Sequence, residues 1–281
     1  MRTNLACLRA LGLSLTLACS AAFPVASVYA QDESGLARIE RTKTLRIGVI
    51  SGAIPYFSKN LGSGAWSGFG PDFAKSLGDS LGAKVAYVET TWGNAVLDLQ
   101  SNKIDVMFGM APTPARRDML NFSDNLFNNT YTTVCKQGYP YKDWKQLNDP
   151  AVRIAVDVGS SHDNFATAKL PQASVSRLEN SGAATMALQA GKVDCQILVV
   201  LLAQPLLSKR PDIGTLHIPE PVLSAPVSIG MQKEADPGLT NAVNHWIAQE
   251  KQSGQIKQVI LDNMEKLAGV KADAFPKNVQ F

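Results

Sequence analysis

The sequence predicts an α/β fold of two lobes, because two rounds of alternating strands and helices follow each other along the chain. Short apolar runs alternate with amphipathic segments between residues 45 and 108, and again between residues 152 and 199. In each round a glycine-containing loop follows a strand, at Gly109 in the first and at Gly159 in the second. Open α/β sheets bind ligands at such loops, outside the carboxyl ends of their strands.

The first round has the order β-α-β-α-β. One helix is indicated by Phe73, Leu77 and Leu81, which recur on a single helical face. Short apolar runs between turn residues indicate the strands. We predict strands at 45–50, 84–88 and 104–108, and helices at 72–81 and 94–100.

The second round has different spacing, and more elements follow it. We predict strands at 152–156, 173–177, 193–199 and 226–231, and helices at 162–170, 181–190, 237–251 and 255–267. Gly191 is typical of the residue that ends a helix. The tail at 271–281 is predicted to be a loop.

Residues 1–30 are predicted to be a cleavable signal peptide. Arg2 and Arg9 flank and enter an apolar run at 11–17, and small residues at 28–30 form a cleavage site. A lipoprotein signal ending at Cys19 is the alternative, although the residues before that cysteine fit the pattern poorly. This segment predicts export to the periplasm.

The charge balance excludes a typical nucleic-acid-binding protein. Loss of Arg2 and Arg9 with the signal leaves 25 of the 27 basic side chains against 24 acidic ones. A nucleic-acid binder needs a concentrated basic face. No later run reaches the roughly 18 uninterrupted apolar residues of a membrane span, since polar residues break the most apolar stretch at 193–207.

Two cysteines remain after the signal, Cys135 and Cys195. Both lie in apolar, strand-like runs, which favours two buried free thiols. A disulfide is the alternative in an oxidising compartment. The cysteines and histidines lack metal-binding spacing, and we predict neither a metal nor a cofactor.

The stretch around Arg116 predicts a site for a carboxylate or a phosphate. Thr113 and Pro114 indicate a helix start, with threonine as the N-cap and proline at the first helical position. A cation in the first turn is unfavourable against the helix dipole. Arg116 therefore fits a role in holding an anion at this helix terminus. The alternative is a surface arginine with a hydrated head group.

Ordered motifs along nearly the whole mature chain resemble those of the periplasmic solute-binding proteins of polar amino-acid ABC transporters, the family 3 type. The motifs are Leu45-Arg-Ile-Gly, Gly68-Phe-Gly-Pro-Asp72, Lys103-Ile-Asp-Val106, Thr113-Pro-Ala-Arg116, Asn121-Phe-Ser-Asp124, Gly159-Ser-Ser161, Leu188-Gln-Ala-Gly-Lys-Val-Asp194 and Ser253-Gly-Gln-Ile256.

The resemblance implies a two-lobed periplasmic-binding-protein fold of type II, with the ligand cleft between the lobes. Lobe 1 would consist of residues 31–130 and 225–281, and lobe 2 of residues 131–224. Ligand would close the cleft by hinge motion. The closed form, a monomer, would then dock on a permease in the inner membrane.

The resemblance also implies a set of ligand-binding residues. Arg116 would clamp the α-carboxylate, assisted by backbone groups at Gly109 and Ala111 and by the Ser161 amide. Trp92 would pack on the ligand body. Alternatives are a core tryptophan for Trp92 and an ordinary helix N-cap for Ser161.

The chain departs from the family pattern at Val199, where the family places an aspartate that pairs with the ligand α-ammonium. Burying an ammonium without a carboxylate costs several kcal/mol. We therefore expect Val199 to line the site of an organic acid that lacks this ammonium. The alternative is an amino-acid ligand whose ammonium is taken by Asp157 or Asp163.

The first loop departs from the pattern as well. Ile50 replaces a frequent acid, and Ala53 replaces a frequent stacking aromatic residue. Tyr56 or Phe57 could supply the aromatic ring after a small loop shift. Ala111 replaces a hydroxyl-bearing residue that usually contacts the ammonium.

Two other functions compete with transport. A dehydratase on this fold would place an acid in the cleft, and Val199 weakens that interpretation. His162 is the only histidine that the motifs place near the cleft, so it is the candidate base. A sensory or accessory binding protein without its own permease is the other alternative. We predict a binding protein rather than an enzyme.

Overall fold

The computed structural model describes residues 33–275. The predicted signal peptide and the last six residues of the predicted tail lie outside that range. Between residues 33 and 275, no helix combines the length and the apolar character that crossing a membrane requires.

The elements follow the predicted alternation. The first part of the chain contains α1 (Gly35–Thr42), β1 (Thr44–Val49), β2 (Ser58–Lys59), β3 (Trp66–Ser67), α2 (Phe69–Ser80), β4 (Lys84–Glu89), α3 (Trp92–Gln100), β5 (Val106–Met110), α4 (Pro114–Met119), β6 (Leu120–Phe122) and β7 (Phe127–Cys135). The remainder contains α5 (Trp144–Leu147), β8 (Arg153–Asp157), α6 (Ser161–Lys169), β9 (Ser174–Leu178), α7 (Ser181–Gln189), β10 (Cys195–Val199), α8 (Val200–Lys209), β11 (Thr215–His217), β12 (Ser224–Gln232), α9 (Gly238–Gln252), α10 (Gln255–Ala268) and a short 3₁₀ turn, Ala272–Ala274.

The main sheet contains two parallel units joined by two antiparallel strands. Its strand order is β4-β1-β5-β12-β7-β10-β8-β9. Strands β4, β1 and β5 are parallel to one another, and so are β10, β8 and β9. Strands β12 and β7 lie antiparallel between the two units. The chain therefore forms two α/β units in one continuous sheet.

The two predicted lobe boundaries meet on the connecting strands. Thr130 on β7 and Ser224 on β12 are register partners, and their hydroxyl oxygens lie 2.9 Å apart. Both chain crossings between the predicted lobes therefore pass through one antiparallel pair.

An aspartate fixes the strand pairing in each parallel unit in the same way. Asp105, just before β5, accepts the backbone N–H of Arg46 at 2.7 Å and also binds its guanidinium. Asp194, just before β10, accepts the backbone N–H of Arg153 at 3.1 Å and binds that guanidinium. Both carboxylates are buried. The repeated Lys-x-Asp motif is therefore part of the scaffold.

Strand β5 differs from its prediction. It begins and ends two residues later, so Gly109 lies inside the strand rather than in the following loop. Pairing with β12 extends β5 past the glycine, and the register shifts between Ser228 and Gly230. The positive φ of 86° at Gly109 accommodates this irregularity.

Strand β7 was predicted only as a strand-like run around Cys135, without bounds, because the rest of its sequence is polar. It contains Asn129 and the buried threonines Thr130, Thr132 and Thr133. Backbone pairing with β12, β10 and β11 covers this strand. Tertiary pairing thus overrides the weak apolar pattern.

The prediction of two free thiols is wrong. Cys135 and Cys195 form a disulfide between β7 and β10, with Cα atoms 4.0 Å apart. The two residues are antiparallel register partners. Their sequence separation of 60 residues gives no sign of this pairing.

Candidate functional site

A cavity lies where the two parallel units and the connecting strands meet. Its empty volume is about 440 Å³, including space open to solvent. All six predicted site residues line it, namely Trp92, Gly109, Ala111, Arg116, Ser161 and Val199. The other lining residues are Tyr56, Asn129, Tyr131, Ser160, His162, Leu202, Ala225 and Val227.

Arg116 lies in α4, whose start agrees with the prediction. Thr113 is the N-cap, Pro114 is the first helical residue, and the Thr113 hydroxyl accepts the Arg116 N–H. The arginine is only 4% exposed. Its guanidinium donates to the carbonyl oxygens of Ala111 at 3.0 Å and Gly159 at 2.8 Å. The alternative of a hydrated surface arginine is therefore wrong.

The buried guanidinium has no carboxylate partner within 4 Å among residues 33–275. Burial lowers the pKa of Arg116 to about 10, although Tyr131 and Asp157 act in the opposite direction. The side chain thus stays charged at neutral pH. A buried cation held only by carbonyl dipoles provides a strong site for an anion.

Two aromatic rings stand beside Gly109. A Cβ atom there would lie 3.0 Å from the Tyr56 ring and 3.4 Å from Cη2 of Trp92. Trp92 begins α3, lines the cavity and also packs against the core. Tyr56 lines the cavity as well, whereas Phe57 is fully buried in the core. The glycine therefore permits both rings to approach the strand.

The loop after β8 supplies the opposite wall. The Ser160 hydroxyl accepts the N–H groups of His162 and Asp163 at 3.1 and 3.2 Å. The N-cap of α6 is therefore Ser160, and the N-cap alternative for Ser161 is wrong by one residue. Ser161 is the first helical residue and lines the cavity.

His162 and Asp157 form a buried pair. Nδ1 of His162 lies 2.7 Å from Oδ1 of Asp157, and each residue is 2% exposed. Burial acts to raise the pKa of Asp157, but the charge and hydrogen bond of His162, with the Ser160 hydroxyl, lower it overall. Nε2 of His162 is buried and has no partner within the described chain.

Polar groups of β7 complete this wall. The Asn129 amide donates to the Tyr56 hydroxyl, while its Oδ1 is buried and has no partner among the described residues. The Tyr131 ring stacks on Phe165 with centroids 4.3 Å apart. Burial raises the pKa of Tyr131, against the influence of Ser161 and Arg116.

The rest of the wall is apolar, and no Asp or Glu of residues 33–275 lines this cavity. Val199 ends β10 at the predicted position of the missing acid. Asp157 and Asp163 were the candidate substitutes. Asp157 binds His162 and the Ser181 hydroxyl, and Asp163 binds Arg177 at 2.7 Å and the Gly159 N–H at 3.0 Å.

Sequence reasoning missed several of these residues. Asn129 and Tyr131 belong to strand β7, of which only the run around Cys135 was predicted, and Ala225 and Val227 belong to its partner β12. An asparagine followed by four hydroxyl-bearing residues in a nine-residue strand was the available signal for buried polar groups. Within the part of the chain that the structure describes, no cluster of His, Cys, Asp and Glu side chains is suited to a metal ion.

Known proteins share the sequence pattern and the architecture of this chain. Residues 45–264 match the model of the bacterial extracellular solute-binding proteins, family 3. A cyclohexadienyl dehydratase of Pseudomonas aeruginosa is 28% identical over 245 residues, which cover 86% of this chain and 90% of the relative.

Solved structures agree. An ancestral amino acid-binding protein, described as a precursor of cyclohexadienyl dehydratase, matches with a TM-score of 0.72 and 29% identity, covering 84% of this chain and all of that one. A solute receptor for L-cysteine of Neisseria gonorrhoeae shares the fold with a TM-score of 0.76 and 24% identity, over 88% of this chain and 100% of the receptor. These matches establish the two-lobed α/β periplasmic-binding-protein fold. The chain belongs to the bacterial extracellular solute-binding proteins of family 3.

Proposed function

We propose that this chain is the periplasmic substrate-binding component of an ABC transporter and that it captures a small carboxylate-bearing solute. The observation that carries the proposal is Arg116, which is 4% exposed and lines the cavity, and whose guanidinium is held, within residues 33–275, only by carbonyl oxygens. A carboxylate would supply the missing negative charge through two parallel hydrogen bonds.

The ligand is an organic acid without an α-ammonium group. Val199 lines the cavity at the position where the resemblance places the acid, and no Asp or Glu of residues 33–275 lines the cavity. An ammonium group would be desolvated there without a carboxylate in the wall, at a cost of several kcal/mol. A micromolar complex has only about 8 kcal/mol of binding free energy in total.

Capture occurs by closure of lobe 1, residues 31–130 and 225–281, on lobe 2, residues 131–224. The hydrogen bond from Arg116 to Gly159 supports this, because it links the predicted lobes directly beside the cavity. The closed monomer then docks on an inner-membrane permease, in keeping with the signal peptide that the sequence predicts.

Isothermal titration calorimetry against a panel of L-amino acids and organic acids tests this function. We expect micromolar binding of one or more organic acids. Micromolar binding of a standard L-amino acid would contradict the preference for a ligand without an ammonium group. Failure of every carboxylate would contradict the function as a whole.

A dehydratase-like enzyme is the second candidate. It is favoured by His162, a residue that lines the cavity, whose Nδ1 lies 2.7 Å from Asp157 and whose Nε2 has no partner within residues 33–275, and by the 28% identity to a dehydratase. A histidine so oriented can exchange a proton with a ligand. Turnover of a cyclohexadienyl substrate, followed by the absorbance of an aromatic product, would decide in favour of the enzyme.

A further inference from the structure

Two residues that line the cavity each have one buried hydrogen-bonding atom without a partner within the described chain. These atoms are Nε2 of His162 and Oδ1 of Asn129. Both residues are 2% exposed, and both line the cavity that contains Arg116. Buried polar atoms are nearly always paired in native proteins, because an unpaired one loses its hydrogen bonds to water.

The hydrogen bond to Asp157 determines which ring nitrogen of His162 carries a proton and which is free. Asp157 is an acceptor when ionised, so Nδ1 of His162 carries the proton that bridges the 2.7 Å between them. Nε2 is then an acceptor in the neutral imidazole, which is the form of His162 that binds the ligand proposed below. Asp157 does not line the cavity, so Nε2 is the ring nitrogen left for a ligand.

Asn129 presents an acceptor as well. Its amide nitrogen donates to the Tyr56 hydroxyl, and Oδ1 has no partner in the part of the chain that the structure describes. Besides the hydroxyl groups of its serines and tyrosines, the wall therefore offers one cation, Arg116, and two neutral acceptors that have no partner among residues 33–275. A ligand that matches it carries a carboxylate and separate hydrogen-bond donors.

The donors should be neutral. No Asp or Glu of residues 33–275 lines the cavity, and an ammonium against two neutral acceptors would not recover its hydration energy. A hydroxyl group costs less to desolvate and satisfies an acceptor with a single hydrogen bond. Two hydroxyls would satisfy both atoms.

We propose that the ligand is a hydroxylated carboxylate, whose hydroxyl groups donate to Nε2 of His162 and Oδ1 of Asn129 while Arg116 holds the carboxylate. This inference rests on the proposed carboxylate-binding function and names the ligand class for the same site. Asp157 acts as a positioning residue, because it fixes the tautomer and the orientation of His162.

Calorimetry with two matched ligand series tests the proposal. The first series is butyrate, 2-hydroxybutyrate, 2,3-dihydroxybutyrate and 2-aminobutyrate, and the second is hexanoate, 2-hydroxyhexanoate, gluconate and norleucine. In at least one series we expect a hydroxylated member to bind about tenfold more tightly than the plain acid, the effect of one good buried hydrogen bond.

The outcomes separate this inference from the function on which it rests. Plain acids that bind as well as hydroxylated ones would overturn the inference, since water would then satisfy the two acceptors, but would leave carboxylate capture intact. Tighter binding of the amino acids would overturn the neutral-donor requirement. Absence of binding by every acid in both series would overturn the function too.

Variants assign the preference to the two residues. In His162→Phe and in Asn129→Leu we expect the hydroxyl preference to fall to about twofold or less, as each change removes one acceptor. Matched controls are His245→Phe, an exposed histidine on α9, and Asn128→Leu, the neighbour of Asn129 that does not line this cavity. An unchanged preference in both site variants would overturn the assignment. Thermal unfolding checks that each variant folds. If a variant does not fold, the two ligand series measured on the wild type still test the proposal.

Discussion

The guanidinium of Arg116 donates a 2.8 Å hydrogen bond to the carbonyl oxygen of Gly159, which lies 43 residues further along the chain. Arg116 belongs to the helix after β5, and Gly159 to the loop after β8. The bond therefore joins the two parallel units beside the cavity. A Cβ atom on Gly159 would lie 2.7 Å from Cα of Gly93, so the backbone segments at the two glycines are closely packed.

Replacement of Gly159 by alanine should weaken ligand binding more than it weakens the fold. The added methyl group would collide with Gly93 and oppose the approach of the two units. Destabilising the closed form by about 1–2 kcal/mol would lower affinity roughly 5- to 30-fold. Calorimetry with the best-binding carboxylate measures this.

The control for that change is Gly191→Ala. Gly191 has a similar positive φ, 65° against 71°, but open space around its Cβ position. Both variants should lose comparable stability from backbone strain, while only the Gly159 variant should lose affinity. Equal affinity losses in the two variants would argue against a contact that governs closure.

Replacement of Arg116 by alanine should abolish measurable carboxylate binding. The ligand charge would lose its bidentate partner at a cost of roughly 2–5 kcal/mol. The neighbouring Arg117→Ala is the control, because that side chain is exposed and contacts the Pro112 carbonyl and the Phe122 ring. Unchanged affinity in the Arg116 variant, measured by calorimetry, would remove this residue from the site.

Loss of the disulfide should destabilise the fold. The bond between Cys135 and Cys195 joins two residues that are 60 positions apart in sequence. Removal of such a bond typically lowers the free energy of unfolding by about 2–5 kcal/mol. Urea unfolding of the Cys135→Ala/Cys195→Ala double variant measures the loss. Reductant should lower the stability of the wild type but not that of the double variant. If reductant left the free energy of unfolding of the wild type unchanged, the result would contradict the presence of the disulfide.

The ion pairs of Asp194 should make stability fall in acid. The hydrogen bond from Arg153, with help from Lys136, holds the pKa of Asp194 well below its usual range. Its contribution is thus complete above the unfolded pKa of about 3.9 and is lost as pH falls toward the lower folded pKa. Asp194→Asn should cost about 1–3 kcal/mol at pH 7, and this difference should shrink below about pH 4.

Urea unfolding at pH 7, 4 and 3 checks that dependence. The control is Asp212→Asn, since Asp212 pairs with Arg210 on the surface with both side chains at least half exposed. Its substitution should change the free energy of unfolding much less at every pH. A difference for Asp194→Asn that stays constant with pH would contradict the role of its ionised form.

An element could be predicted when the residues that stabilise it are close to it in sequence. Helix α4 was predicted at its observed start because the Thr113 cap and Pro114 act on adjacent residues. Most of strand β7 escaped prediction because its burial depends on partners 60 or more residues away, such as Val199 opposite Tyr131. The disulfide was misjudged for the same reason.

The sequence by itself determined the alternation of strands and helices and the anion site at Arg116, since local patterns encode these. Its resemblance to a known family supplied the other five of the six residues that meet at one cavity. The tertiary structure decided which atoms of that cavity lack partners. Among residues 33–275, Arg116 is buried without a carboxylate partner, and His162 and Asn129 each retain one unpaired atom. Burial and pairing depend on contacts between distant segments, so only the folded chain reveals what chemistry the cavity requires.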